Sequence, residues 1–299
     1  MRARPIAVVT GGAGFIGSHM VDVLVERGYA VRVIDNMVGG REENLAHLAA
    51  NPDVVIERRD IRSFVPDDAL FRGARYVIHF AGIGDIVPSI ERPMEYMSAN
   101  AQGTVHMLEC ARHAGVQKFV YAASSSCYGL AKTPTTESHP VEPLYPYALS
   151  KYFGELLMDA AVRRSDLRCI SIRPCWVHHE GNYEGNLGPQ VRDPALLSPN
   201  FWSYIDVYDL ADAIVLAVQS ELPGHEVFYI ASPDNVGGRP FAEMVRKYYG
   251  DKVEIRALAR ADASGISCAK AMRMLGYAPK RSWRDYLDAE GRLKPQSRR

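Results

Sequence analysis

The sequence predicts an α/β protein: a doubly wound parallel sheet followed by a smaller C-terminal lobe. Three observations carry this. Short β-branched apolar runs alternate with longer helical patterns over most of the 299 residues. The runs are continuously apolar rather than alternating, as strands covered on both faces are. A glycine-rich turn joins the first run to the first helical stretch, and strand-then-helix repetition gives right-handed crossovers between parallel strands.

The elements follow in order. Ile6–Thr10 is the first predicted strand, stopped by Gly11-Gly12, and a helical pattern occupies Ile16–Arg27. Strands are expected at Ala30–Asp35, Val54–Glu57 and Tyr76–Phe80, then a long helix over Ser98–His113. A strand over Lys118–Ser124, a helix over Tyr147–Arg163 and a strand over Arg168–Arg173 continue the series. After Pro174 the pattern changes: Cys175–Asn200 is rich in Gly, Asn and Pro and reads as an irregular lobe. A helix over Asp206–Gln219 and a strand at Val227–Ile230 resume the sheet, and Phe241–Leu287 holds two or three short helices. The expected division is a nucleotide-cofactor domain over 1–174, with the sheet resumed around 201–232, and a mainly substrate-binding lobe over 175–299.

Composition excludes several classes. Lys plus Arg number 35 and Asp plus Glu number 35, so no net charge draws the chain to nucleic acid or an anionic membrane. No apolar run reaches the roughly 18–20 residues of a membrane span. The basic start MRARPIAVVTGG has too short an apolar run for a signal peptide. Five cysteines with no C-x-x-C pair read as reduced thiols of a cytoplasmic protein. Hydrophobic residues at 47% supply a full core.

Gly11, Gly14 and Gly17 have the G-x-x-G-x-x-G spacing of a phosphate-binding turn. The first allows a tight turn, the second lets backbone approach a pyrophosphate, and the third lets the helix pack on the strand. The helix start offers N–H groups and the positive end of its dipole. Asp35 ends the second strand, 24 residues after Gly11, where a carboxylate accepts ribose hydroxyls and disfavours a 2′-phosphate. This expectation is NAD rather than NADP. Ligands of such sheets lie at carboxyl ends of strands, which adds Asp60 and Ile61, Ala81 and Gly82, and the helix residue Asn100 as cofactor-lining candidates.

Tyr147 and Lys151 are four apart on a predicted helix and share a face. An ammonium there favours the tyrosinate, whose parent phenol has a pKa of about 10, so Tyr147 is the expected acid/base and Lys151 its electrostatic partner. The fifth strand ends in Ser124-Ser125-Ser126-Cys127-Tyr128-Gly129, and a serine there can hold the reacting hydroxyl. Spacing alone leaves open which one. Cys127 reads as an inert, packed thiol.

In this order, TGGAGFIG, Asp35-Asn36, Asp60-Ile61, HFAG, SSSCYG and YALSK resemble the extended short-chain dehydrogenase/reductase family. They are most similar to its NAD-dependent epimerase/dehydratase branch, the UDP-glucose 4-epimerase-like group, whose cofactor domain has the Rossmann fold. The resemblance spans residues 4–174 and continues through Trp202–Ile214, Met274–Pro279 and Ser282–Leu287. It implies Ser124, Tyr147 and Lys151 as catalytic. It implies Gly11, Gly14, Phe15, Ile16 and Gly17 at the pyrophosphate, and Asp35 and Asn36 at the ribose. Asp60 and Ile61 then meet the adenine, with Ala81, Gly82, Asn100, Tyr147 and Lys151 lining the rest of the cofactor. It also implies a homodimer formed through the helices over Ser98–His113 and Tyr147–Arg163.

Two departures bear on the substrate. Dehydratases of this branch carry Asp-Glu after the catalytic Thr; Ser125 and Ser126 stand there instead, so no carboxylate is available to eliminate water. Trp176 replaces the substrate-meeting Asn of an R-x-x-N run. Ser125, Ser126, Trp176 and His178 are the expected substrate-facing residues. His178-His179-Glu180 gives no metal site, because neighbours in extended chain point apart and no third ligand is marked. The expected activity is NAD-dependent C4 inversion of a UDP- or GDP-hexose through a transient 4-keto sugar. The alternative is an NAD(P)-dependent dehydrogenase or reductase of a small sugar, hydroxy acid or ketone. A non-catalytic cofactor sensor conflicts with an intact Ser-Tyr-Lys set.

Overall fold

The structure is a computed structural model that describes residues 4–128, 134–199 and 202–295. Gly129 of the strand-end run, Asn200 and the basic tail beyond 295 lie outside the described residues. Contacts divide the chain into two units. The first comprises Met1–Cys127, Glu142–Ile172 and Ile214–Val227; the second comprises Tyr128–Val141, Arg173–Ala213 and Phe228–Arg299.

In chain order the elements open with β1 (Ile6–Thr10), α1 (Phe15–Glu26), β2 (Ala30–Asp35), β3 (Val54–Arg58) and β4 (Ala74–His79). Two short helices, α2 (Val87–Glu91) and α3 (Pro93–Tyr96), lead through a π-helical turn at Met97–Gln102 into α4 (Gly103–His113). Then come β5 (Lys118–Ala122), α5 (Pro146–Val162), β6 (Arg168–Pro174), β7 (Trp176–His178), α6 (Glu180–Asn186) and α7 (Gly188–Arg192). The last are β8 (Tyr204–Asp206), α8 (Val207–Gln219), β9 (His225–Ile230), α9 (Phe241–Tyr249), α10 (Ala269–Leu275) and α11 (Trp283–Tyr286).

Seven strands form a parallel sheet in the order β3-β2-β1-β4-β5-β6-β9, the doubly wound arrangement expected from sequence. The order reverses beside β1, so the loops after β1 and β4 flank the switch point where such sheets take ligands. Val8, Ile34, Val77 and Phe119 fill the core of the first unit together with Phe64, Phe71 and Met107. β3, at the sheet edge, departs from the continuously covered pattern: Val55 and Ile56 are exposed.

Two buried polar devices close the β6 side of the first unit. Lys118, fully buried at the start of β5, donates from Nζ to Ala217 O at 2.9 Å, to Ser220 Oγ at 2.9 Å and to Ser220 O. It thereby satisfies carbonyls at the end of α8, and burial holds its amine down to about 8. Ser171 on β6 and Asp159 on α5 each lie 2.8 Å from a ring nitrogen of His225 on β9.

The segment read as irregular is organised. β7 pairs in parallel with β8, placing His178 opposite Asp206, and α6 and α7 fill the interval. The start of α6 is a capping box: His179 Nδ1 accepts from Gly181 N at 3.3 Å, and Asn182 Oδ1 accepts from His179 N at 3.0 Å. This reciprocal cap and the buried Tyr183 and Leu187 outweigh the low helix propensity of the Gly and Asn residues. The second unit's core gathers these with Trp202, Tyr204, Phe241 and Trp283.

Candidate active site

The glycine turn after β1 is shaped by close backbone approach. Gly11 has φ +69°, and a Cβ there would lie 2.7 Å from Ala81 N. At Gly17 a Cβ would lie 2.1 Å from Gly11 O, and at Gly14 3.2 Å from the same oxygen. Phe15 and Ile16 open α1, whose start carries no side-chain cap and no acidic residue in its first turn. That end of the dipole is suited to an anion.

The ends of β2 and β3 meet through their polar groups. Asp35 is buried; its Oδ2 accepts from Ala13 N at 2.9 Å and its Oδ1 from Met37 N at 2.8 Å, tying the glycine turn to the loop that follows β2. Each oxygen retains a lone pair for a further donor. Asn36 Nδ2 donates to Asp60 Oδ2 at 3.1 Å. Asp60 also caps the next turn, accepting Arg62 N at 2.9 Å, and pairs with the Arg62 guanidinium at 2.7 Å. That pairing holds its carboxyl well below the usual carboxylate range. Ile61 is buried beneath Gly103, where a Cβ would come within 2.4 Å of its Cδ1.

At the switch point a directional hydrogen-bond chain runs through His79, a residue that sequence reasoning passed over inside the HFAG run. Thr104 Oγ1 donates to Asn100 O at 2.5 Å, so it accepts from His79 Nε2, 3.0 Å away. His79 Nδ1 is then the acceptor for Thr10 Oγ1 at 2.5 Å, and Thr10 Oγ1 accepts from Ala81 N at 3.2 Å. Burial and the charge of Lys151 push His79 down to about 3, so the ring is neutral. Asn100 sits in the π-helical turn and clasps the loop after β4. Its Oδ1 accepts from Ile83 N at 2.7 Å, and its Nδ2 donates to Ile83 O at 3.0 Å and to Ser150 Oγ at 2.8 Å. A Cβ at Gly82 would meet that Oδ1 at 2.7 Å and approach Lys151 Nζ to 4.0 Å.

Ser124, Tyr147 and Lys151 come together here. The Ser124 hydroxyl hydrogen-bonds the Tyr147 phenol, and Ser126 Oγ lies 2.8 Å from Ser124 Oγ, with Ser126 N donating to it at 3.2 Å. Ser125 is half-buried at the start of a 3₁₀ turn, and Cys127 is buried in that turn. Lys151 lies over the ring of Tyr121, 4.8 Å from its centroid, and Tyr121 donates to Lys151 O at 3.2 Å. Gly154 permits this contact, since a Cβ there would fall 2.2 Å from Tyr121 Cζ.

Burial is the largest influence on both Tyr147 and Lys151. Burial pushes the Tyr147 phenol above its ordinary value, with the Ser124 hydrogen bond opposing and the Asp85 charge and Tyr96 reinforcing. Lys151 is held down to about 8 by burial, against the opposing charge of Glu155. The lysine is turned onto Tyr121 and toward Gly82.

The sequence model of the NAD dependent epimerase/dehydratase family matches residues 7–231. The chain belongs to that family. A UDP-glucose 4-epimerase of Corynebacterium glutamicum is 28% identical over 305 residues, covering 91% of this chain and 90% of its own. A crystal structure of a UDP-galactose 4-epimerase aligns over 96% of this chain and 95% of that one, with TM-score 0.71 and 30% identity. The UDP-glucose 4-epimerase of Thermotoga maritima, crystallised with UDP-glucose, aligns over 96% of both chains with TM-score 0.72 and 27% identity.

In this family member the residues expected to face substrate divide. Ser125 and Ser126 lie beside Ser124 in the first unit. Trp176 is half-buried in the second unit, its ring 4.3 Å from that of His178. His178, expected to face substrate, is instead fully buried between Trp176 and Tyr183, and burial pushes its ring down to about 3. Among the described residues no group of three or more His, Cys, Asp or Glu is arranged to hold a metal ion, and no helix is long and apolar enough to cross a membrane. Tyr96, Tyr121 and Gly154 also build the site and were missed. Their sequence signal is a large residue on α3 and on β5 and a small one on α5, which reads equally as core.

Proposed function

We propose that the chain is an NAD-dependent nucleotide-sugar epimerase that inverts C4 of a UDP-hexose through a transient 4-keto sugar. The observation that carries this reading is the Tyr147 phenol, hydrogen-bonded by Ser124 and followed one turn later by Lys151, at the switch point of a sheet whose glycine turn is shaped for a pyrophosphate. Family membership and the epimerases aligned over nearly the whole chain support it. The serines at 125 and 126 favour it over water elimination, since neither offers a carboxylate.

The residues present fit the cofactor. Gly11, Gly14 and Gly17 leave backbone bare at the start of α1 for the pyrophosphate, with Phe15 and Ile16 beside it. Asp35 and Asn36 would hold the adenosine ribose, and Asp60 and Ile61 would flank the adenine. Ala81, Gly82 and Asn100 would line the nicotinamide half, and Lys151 would donate to its ribose. NAD supplies the hydride acceptor and donor and a positively charged ring. Tyr147 takes the proton of the C4 hydroxyl and returns it after inversion, and Ser124 holds that hydroxyl in line. Lys151, near half-protonation at about pH 8, lends charge without fixing it on the phenol.

The second unit, with Trp176, serves as the substrate lobe. We assign a homodimer, supported by the exposed apolar row Leu149, Phe153 and Leu156 on α5 and by Val105 on α4, and a cytoplasmic location, supported by five free cysteines. The test is incubation of purified protein with UDP-glucose or UDP-galactose without added NAD. Interconversion is expected, with NAD released on denaturation. Tyr147→Phe should lose about 10²–10⁴-fold in kcat with cofactor retained. Accumulation of NADH without inversion of any UDP- or GDP-hexose refutes the epimerase reading.

A further inference from the structure

Ser126 makes two contacts to a single oxygen that the proposed reaction does not yet use. Its N–H donates to Ser124 Oγ at 3.2 Å, and its own Oγ lies 2.8 Å from the same atom. The 3₁₀ turn Ser125–Cys127 that creates this arrangement is held at both ends. Ala123 N donates to Ile172 O at 2.8 Å, and Cys127 O accepts from Glu142 N at 2.9 Å. The helix α5 packs against that turn, and Tyr147 lies in its first turn. Tyr147 is fixed separately: Ser150 Oγ donates to Tyr147 O at 2.8 Å, and the Tyr96 ring sits edge-on to the phenol ring with centroids 6.3 Å apart. Ser124 stands between the two, bonded to the Tyr147 phenol and to the N–H and hydroxyl of Ser126.

A serine hydroxyl has one proton and two lone pairs. The Ser126 N–H occupies one lone pair of Ser124. One lone pair and one proton remain for two neighbours, the Ser126 hydroxyl and the Tyr147 phenol. To take a proton from the sugar, Tyr147 must be a phenolate, which only accepts. The Ser124 proton is then committed to Tyr147, and the 2.8 Å contact runs from Ser126 to Ser124. The reverse order would aim the Ser124 proton at Ser126 and away from the phenolate. We propose that Ser126 is a positioning residue: it fills the last lone pair of Ser124 and so directs the Ser124 proton to the reacting oxygens, the Tyr147 phenolate and then the C4 oxygen of the sugar. The inference rests on the proposed function, in which Tyr147 is the acid/base. Only O–H bonds rotate; neither serine gains or loses a proton. A hydroxyl whose oxygen accepts two hydrogen bonds is polarised and bonds an anion more strongly. The Ser126 hydroxyl thereby faces Ser124 rather than the sugar.

The test compares NAD-loaded wild type, Ser126→Ala and Ser126→Thr, each beside its Tyr147→Phe counterpart. The near-ultraviolet phenolate band, taken as the difference within each pair, titrates Tyr147 alone. In Ser126→Ala that titration should move up by about half a pH unit. On the acid limb of the pH profile kcat should fall about threefold, with KM for UDP-glucose constant within about twofold. Threonine keeps the hydroxyl and should restore both the titration and kcat. Because Ser126 acts through Ser124, adding Ser126→Ala to Ser124→Ala should change neither further. An unmoved or absent Tyr147 titration, a KM rise without a move in that titration, no recovery by threonine, or additive losses in the double variant overturns the proposal. A titration that responds as expected in proteins that invert no UDP-hexose refutes the epimerase reading alone, and leaves Ser126 directing Ser124 toward a phenol that serves another substrate.

Discussion

Gly154→Ala tests whether α5 owes its position to a missing methyl group. A Cβ at this position would lie 2.2 Å from Tyr121 Cζ, 2.3 Å from its hydroxyl oxygen and 2.5 Å from Cε1. Contact distance for such pairs is about 3.5–4 Å, so ring or helix must yield by more than an ångström. The ring is enclosed: Tyr121 is 1% exposed, stacks on His79 and carries Lys151 on its face. Replacing Gly by Ala inside a helix gains about 1 kcal/mol of propensity, while overpacking costs about 1–3 kcal/mol. With backing on both sides of the ring the upper end applies, leaving a net loss of about 2 kcal/mol. For a chain of this size that lowers Tm by about 3 °C. Displacement of α5 also shifts Tyr147 and Lys151, so kcat should fall while NAD content stays high. Differential scanning calorimetry and turnover measure both. Gly185→Ala is the control, since its Cβ meets nothing within 4 Å, and it should be neutral or slightly stabilising. Refutation would be a Gly154→Ala protein that melts at or above wild type with unchanged kcat.

Other expectations follow from the same contacts. Gly17→Ala sets a Cβ against backbone that cannot rotate away, 2.1 Å from Gly11 O; the purified protein should lose bound NAD, measured by absorbance after denaturation. Asn100→Ala leaves the N–H and C=O of Ile83 without their side-chain partner and removes the bond that Ser150 Oγ accepts, though that hydroxyl still donates to Tyr147 O; it should cost about 3 kcal/mol in urea unfolding, with Asn100→Asp recovering the Ile83 N–H bond. His79 and His178 are each held near a pKa of about 3 in the fold, against about 6.5 unfolded. The unfolded chain therefore binds more protons between these values. Stability is full above pH 6.5 and declines toward pH 3 by about 1.4 kcal/mol per pH unit per histidine. Urea midpoints from pH 7 to pH 4 measure this, and His79→Gln should flatten the slope of the first unit.

Much of the sheet was legible because burial on both faces writes long apolar runs into the chain. β1 and β2 end where the runs end, and the helices over α1, α5 and α8 differ from the expected spans by no more than a residue at either end. β7 and β8 were not legible: three-residue strands in a Gly- and Asn-rich stretch carry too few side chains to show a period. In the site, spacing brought out residues tied to backbone geometry, such as Gly11, Gly17 and Asp35. It left open which serine meets Tyr147, because that depends on a turn rather than a period. His79 and Tyr121 were hidden because one buried polar or aromatic residue in a strand looks like core. Helical spacing places Lys151 on the same face as Tyr147 but does not say that its amine turns onto Tyr121.

The alternation of the chain between its two units affects how the protein can be made and cut. Residues 214–227, which complete the first unit, are translated after most of the segments of the second. Until they leave the ribosome, the amine of Lys118 has no carbonyl to meet and Ser171 no imidazole. A gene fragment stopped at residue 174 would therefore yield an unfinished sheet with an open edge and a solvated lysine where the core should close, rather than a minimal cofactor binder. Complementation of that fragment by a separately expressed 175–299 piece should succeed only when the second piece delivers its strand into the first.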